Sequence, residues 1–443
     1  MSQPLAACAP WMLVAAISLI GAGCQSQQHR SDPPPDVASA ATATGPPASA
    51  AAGYLRWLDA CLDQQRRQLD RISASADAAA AAFVDNERWS IGVIGPRGFT
   101  GEAMGRAGGI IRIHSPRQIK SKRWRGVILV GLTDQTLDAS LAAVGTKQRQ
   151  GCHIVVFGTP AQRVAADAAD LDYDAFIENG AAPHNGLVQA ADGRWLIPTQ
   201  DVANVAVLWT WTGEFIAALT RRGRMAPVYM AYAVPGGQAW RNRIGMTKFH
   251  GPGLRIEPVG PGVLGGQFID ALGEDLRALE RTQMQAIGRV AAQAHRLRHA
   301  GRGLYIFLHG HAIMAMLGGP HDPGYFTVAN RGWFKLADHI LPQPGDLLFC
   351  VGFDQLFDGD FFDGLATRLR KRELQLAWSV AVNNPQHDYT LAENELLIDQ
   401  CWCFGDASVT VPGYPVRILP TSGVIAQAVV WMVNAELHAM IEK

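Results

Sequence analysis

The sequence predicts an α/β protein made of two tandem domains, each a parallel sheet covered by helices on both faces. Three observations predict it. Short apolar runs alternate with longer stretches of helical periodicity, which is the pattern of repeated βα units. Those runs are apolar throughout rather than alternating, as strands buried on both faces require. Residues 197–214, IPTQDVANVAVLWTWTGE, also match residues 419–436, LPTSGVIAQAVVWMVNAE, without a gap. An aliphatic residue and Pro-Thr open both segments, and Trp209 with Trp431 and Glu214 with Glu436 keep one offset of 222 residues.

The elements follow in order. Residues 1–24 hold an apolar run, 11–23, too short to span a bilayer and suited to the core of an export signal. Gly21, Ala22 and Gly23 then precede Cys24, which resembles a bacterial lipoprotein cleavage site; lipidation of Cys24 would place the protein at the cell envelope on a lipid anchor. The alternative is an uncleaved tail on a cytoplasmic protein. Residues 25–52 carry five prolines and no aromatic residue, so they read as a disordered Pro/Ala/Ser linker.

A first domain is expected over 53–222 and a second over 270–443. Each half opens with a helical stretch, 54–83 or 270–299, with Leu and other apolar residues three and four apart. Strand-like runs follow at Trp89-SIGVIG, Gly126-VILVG and His153-IVVFG in the first half. Leu304-YIFLHG, Gly345-DLLFCVG and Leu374-QLAWSVAV are their counterparts in the second. Helical stretches 135–149 and 356–372 separate the later runs, and the Pro-Thr segments open a closing helix in each half. Residues 223–269 are rich in Gly and Pro and read as a connector.

Composition narrows the function. The chain has 443 residues, is 48% hydrophobic and carries 39 basic against 39 acidic residues. Zero net charge gives no electrostatic case for nucleic acid as a partner. Seven cysteines scattered over this length imply no disulfide framework.

The paired halves resemble the tandem (double) SIS, or sugar isomerase, module. The strand–glycine turns Ile91-GVIG and Tyr305-IFLHGH carry the resemblance, with the units GVILVGLTDQT and GDLLFCVGFDQ and both closing helices. The resemblance implies two flavodoxin-like three-layer αβα domains that bind a phosphorylated sugar or other carbohydrate derivative. It includes aldose–ketose isomerisation of a sugar phosphate as an activity, needs no cofactor, and leaves a homodimer open.

Ligands of open parallel sheets sit at the carboxyl ends of the strands, where helix N-termini present free N–H groups to a phosphate. The family's first turn corresponds to Gly95, Arg97 and Thr100, with Pro96 and Arg97 where small hydroxyl residues are usual. The second corresponds to Thr133 and Thr136, beside Asp134. In the second half the matching turn is His309, Gly310 and His311, and the next, Phe353-Asp354-Gln355-Leu356, has no hydroxyl. For catalysis, Glu178 in a loop after a strand and His184 six residues on supply a carboxylate base and an imidazole for ring opening.

The remaining candidates have bland readings. His309, His311 and His321-Asp322 match no standard zinc spacing, so no metal is expected. Cys401 and Cys403 read as two buried thiols on one face of a strand. Trp209, Trp211 and Trp431 read as core aromatics, and Arg221, Arg222 and Arg224 as complements to a helix dipole. Two other functions compete with an isomerase. One is a non-catalytic sugar-phosphate sensor or envelope-tethered binding protein with degenerate sites. The other is a nucleotide-dependent oxidoreductase using Gly95-x-x-Gly98-x-x-Gly101, which leaves the repeat unexplained.

Overall fold

The computed structural model describes residues 49–443 apart from 122, 233, 245–246, 252, 310–316, 332–334, 337–341, 354–364 and 385–389. Every described residue belongs to one compact unit, Pro47–Lys443.

The first half begins with α1 (Ala50–Arg67) and α2 (Leu69–Asp85), two helices where the periodicity reads as one, broken at Gln68. It continues through β1 (Ser90–Ile94), α3 (Arg97–Ala103), β2 (Ile113–His114), β3 (Gly126–Gly131), α4 (Leu137–Gln148), β4 (His153–Gly158), α5 (Pro160–Ala168) and β5 (Ala175–Glu178). A hairpin of β6 (Val188–Gln189) and β7 (Trp195–Leu196) leads into α6 (Gln200–Arg221). After α7 (Gly237–Ile244), the second half opens with α8 (Val263–His299). It runs through β8 (Leu304–Leu308), β9 (Thr327–Val328), the pair β10 (Asn330–Arg331) and β11 (Lys335–Leu336), β12 (Leu347–Val351), α9 (Leu365–Arg370), β13 (Gln375–Val380), β14 (Leu396–Asp399) and α10 (Ser422–Ile441).

Two five-stranded parallel sheets result, ordered β2-β1-β3-β4-β5 and β14-β13-β12-β8-β9. Counted within each half, both have the order 2-1-3-4-5 of flavodoxin-like sheets. The fold class read from the sequence therefore stands. The strand count needs correction: each parallel sheet has five strands among the described residues where the apolar runs mark three. Two-residue β2 and β9 are too short to leave a period. The segment holding Glu178 is strand β5 rather than a loop, with Glu178 its last residue.

The longer strands are dry on both faces because apolar layers cover both. On the outer side of the first sheet, Ile128, Val130, Ile154 and Val156 pack with Val144 of α4. In the second half, Phe307, Leu348, Cys350 and Trp378 pack with Leu369 of α9. The inner faces of both sheets join one continuous core with α1, α2, α6, α8 and α10. That placement explains the apolar closing helices: α6 and α10 are long and apolar enough to cross a membrane by composition, and they lie in the core of this fold, where a helix is hydrophobic all round. Trp209, Trp211 and Trp431 are buried in it, as expected.

The repeat is physical. Ile197 and Leu419, one residue before the repeated prolines, both take left-handed φ, 66° and 64°. The repeated glutamates do equivalent work across the halves. Glu214 of α6 accepts from the N–H groups of Gly262 (2.7 Å) and Gly265 (2.8 Å), capping α8. Glu436 of α10 accepts from Ala51 N–H (2.9 Å), capping α1. Each closing helix thus satisfies orphan donors at the opening helix of the other half.

The connector is ordered in its first part. Tyr229 and Val228 bridge to Ala107 and Ile110, and Trp240 of α7 donates to Val228 O at 2.9 Å. Cys401 and Cys403 follow β14 rather than lying on a strand. Cys401 has a φ of 61°, so the same-face reading of the two thiols is corrected.

Candidate functional site at the strand ends

At the order reversal of a 2-1-3-4-5 sheet, the first and third strands diverge and leave a crevice at their carboxyl ends. In the first half these strands are β1 and β3. Gly95 follows β1 with a φ of 149°, and a Cβ there would lie 2.6 Å from Gly131 O. Phe99, fully buried on α3, lies against Gly131 so closely that a Cβ on Gly131 would sit 2.7 Å from the ring. The turn is therefore tight, and an aromatic ring occupies it. Arg97 is exposed at the start of α3. The Thr100 hydroxyl donates back to Pro96 O at 3.2 Å. Buried Thr133 and half-buried Thr136 bond each other through their hydroxyls at 2.9 Å.

The protein's own side chains cross-link the rest of this rim. Asn204 of α6 donates to Leu132 O and accepts from Asn179, both at 2.7 Å. Gln200 accepts from Asp134 N–H at 2.9 Å, while Gln162 donates to the Asp134 carboxylate at 2.8 Å. Asn185, itself left-handed, accepts from the N–H groups of Thr199 and Gln200 and so caps α6.

Glu178 ends the edge strand β5. Its carboxylate accepts from Gln64 at 3.4 Å and its carbonyl from Gln68 at 2.5 Å, so α1 holds it from one side. His184 is exposed and stacks on Trp195, with ring centroids 4.8 Å apart. The two residues have different neighbours. Asp399, which ends the corresponding edge strand β14, likewise meets an opening helix through its N–H, which donates to Gln283 of α8 at 3.0 Å.

In the second half, the ends of β8, β12 and β14 meet the N-terminus of α10 around a cavity of about 10 Å³, the size of one water. His309, Gly352, Phe353, Gln400, Ser422, Gly423 and Ala426 line it. His309 and Gly352 touch: a Cβ on Gly352 would lie 2.7 Å from His309 Cβ. Gly310 and His311, which follow His309, lie outside the described residues, as does Cys24.

A side chain from the other half reaches Ser422, one of the residues that line this cavity. Arg106, completely buried, donates through Nη2 to Ser422 Oγ at 2.5 Å and stands 5.9 Å from the Phe353 ring centre. Glu102, one turn earlier, pairs with its Nε at 2.9 Å, and Asp406 with Nη2 at 3.1 Å. Nη1 has no hydrogen-bond partner among the described residues. Asp406 also accepts from Ser422 N–H at 3.2 Å, capping α10 much as Asn185 caps α6. Burial, opposed mainly by Arg106, pushes the Glu102 carboxyl up to about 7. Asp201, in the first turn of α6, is pushed to about 8 by burial and then by Glu102.

Sequence reasoning missed Glu102, Arg106, Asp201 and Asp406. A signal existed for two of them: Glu102 and Arg106 are four apart, the spacing of a helical ion pair. Nothing local marks Asp201 or Asp406, because their partners are hundreds of residues away or on another helix.

No family model and no curated protein matches the sequence. Solved structures do match. The C-terminal domain of glucosamine-fructose-6-phosphate aminotransferase from Francisella tularensis is 10% identical, with a TM-score of 0.45 over 91% of this chain and 98% of that one. Tagatose-6-phosphate ketose/aldose isomerase from Escherichia coli is 11% identical, with a TM-score of 0.46 over 89% of this chain and 93% of that one.

Proposed function

We propose that the chain is a double SIS module that binds a phosphorylated or otherwise anionic carbohydrate derivative at the rim of the second sheet, without turning it over. The observation that carries this reading is Arg106: a buried guanidinium that reaches Ser422 on the lip of the rim cavity and keeps Nη1 unspent. A phosphate oxygen is about the size the cavity admits, and Arg106 offers it charge and the Nη1 donor from behind Ser422, whose own N–H is held by Asp406. His309 stands at the same lip, with Gly310 and His311 next in sequence. The first-half rim is the poorer candidate, since Phe99 fills its crevice and one of the Thr133 and Thr136 hydroxyls spends its proton on the other.

A binding role is favoured over isomerisation because the carboxylate proposed as base, Glu178, is engaged by Gln64 and Gln68, while His184, the imidazole proposed with it, stacks on Trp195 instead. The test pairs calorimetric titration of fructose 6-phosphate with an NMR assay for its isomerisation. Binding without turnover is expected. Ala426→Leu, which fills the cavity, is expected to weaken binding by about tenfold or more, at a stability cost of about 1–3 kcal/mol. Turnover, or binding indifferent to Ala426→Leu, refutes the reading.

A further inference from the structure

On the opposite edge of the second sheet, where its strands begin, α8 and the first residues of β13 and β14 enclose a cleft of about 390 Å³. Arg289, Gln293 and Arg296 of α8 face Gln375, Glu393 and Asn394 across it. Gln293 is 8% exposed. One end of its amide bonds Gln375 at 3.1 Å, and its Oε1 has no hydrogen-bond partner. Turning both amides over would leave an N–H unpaired instead. A hydroxyl, which donates and accepts, meets the need in either orientation.

The charges around Gln293 are also unspent. Arg289 and Arg296 lie four residues before and three after it, on the same helix face, and are exposed. Neither side chain has an ion pair or hydrogen bond among the described residues. Glu395, near the cleft, is already paired bidentately with Arg370 at 2.7 and 2.8 Å. Glu393, on the wall facing α8, disfavours a bare anion on its side and favours a hydroxyl that donates to it.

We propose that this cleft is a second binding site, for an anion that carries hydroxyl groups. Its phosphate or carboxylate lies between Arg289 and Arg296, one hydroxyl meets the Gln293 amide, and another donates to Glu393. The site stands at the strand starts, away from the rim that Arg106 borders, and does not depend on the rim binding anything.

The test is calorimetric titration of the full chain with glucose 6-phosphate as the probe, and with glucose and inorganic phosphate separately. Arg289→Ala/Arg296→Ala is expected to weaken probe binding by about tenfold or more, and Gln293→Leu by about threefold, the loss of one neutral contact. Each separate half of the probe is expected to bind at least about tenfold more weakly than the whole. Ala426→Leu, which blocks the rim, leaves this binding in place. The proposal is overturned by any of three results: no binding at millimolar probe, binding unchanged in the double arginine variant, or inorganic phosphate binding as tightly as the sugar phosphate. Binding lost in Ala426→Leu alone assigns the probe to the rim and also overturns it. Melting curves of each variant separate lost binding from lost fold.

Discussion

Asp201→Asn is the sharpest probe of the buried charge cluster. Asp201 is 1% exposed on the first turn of α6. Neither carboxylate oxygen makes a side-chain hydrogen bond among the described residues, and the Phe99 N–H is the one group that offsets burial and Glu102. These forces lift its pKa from 3.8 to about 8. The folded state therefore holds a proton that the unfolded chain releases near pH 4. Stability contributed by that proton is complete below about pH 4, falls as pH rises, and levels off above about pH 8. At about 1.4 kcal/mol per pKa unit the full span is on the order of 5 kcal/mol, and roughly half of it is expected for a carboxyl coupled to Glu102. The amide carries no charge to desolvate. The variant should match the wild type near pH 4.5 and exceed it by about 2–4 kcal/mol at pH 8.5. Urea denaturation across that range measures both. A difference that does not change with pH, or a variant less stable at pH 8.5, would refute the buried-proton reasoning.

Other perturbations test the surrounding structure. Arg106→Met leaves Asp406 and Glu102 without their cation, and is expected to cost about 3–5 kcal/mol by denaturant titration at pH 8. That cost should shrink below pH 6, where Glu102, lifted to about 7, is protonated; an equal cost at both pH values would mean packing alone was lost. Phe99→Ala should cost about 3–5 kcal/mol by opening the crevice between β1 and β3, and a small loss would show that the turn tolerates an empty first rim. Glu214→Ala strips two N–H groups at the start of α8 and the buried Ser73 hydroxyl of their acceptor. It should cost more than Glu436→Ala, which frees one partly buried N–H, by about 1–2 kcal/mol. Thermal unfolding ranks the pair, and the reverse order would contradict the capping account.

What could be read from the chain, and what could not, follows from the range of the forces involved. The parallel sheets were legible because strands buried on both faces must be continuously apolar, and GVILVG and LLFCV leave little choice. The repeat was legible because α6 and α10 fill equivalent positions in one core, so Trp209 and Trp431 kept their register. Strands β2 and β9 were not legible, since two residues carry no period. Glu178 was misplaced into a loop because its strand is only four residues long and is followed by Asn-Gly. The candidate turns were found by position, but the partners of their side chains were not. Whether Thr133 faces a ligand or Thr136 depends on how the turn closes, and Arg106 meets Ser422 across more than three hundred residues of sequence.

The asymmetry between the rims is itself an argument about function. Both closing helices begin against a left-handed polar residue, Asn185 or Asp406, that takes their first N–H groups. A neutral amide suffices as the cap in the first half, where the amides of Asn204 and Asn179 bond each other beside it. In the second half the cap is a carboxylate, and it is held by a guanidinium supplied from the turn that follows α3 of the first half. Burying that charge is expensive unless it is paired on all sides, so a rim that needed only closure would have used the cheaper amide. In the proposed second-rim site, an entering anion would share Arg106 with Asp406 and with Glu102, whose carboxyl burial lifts to about 7.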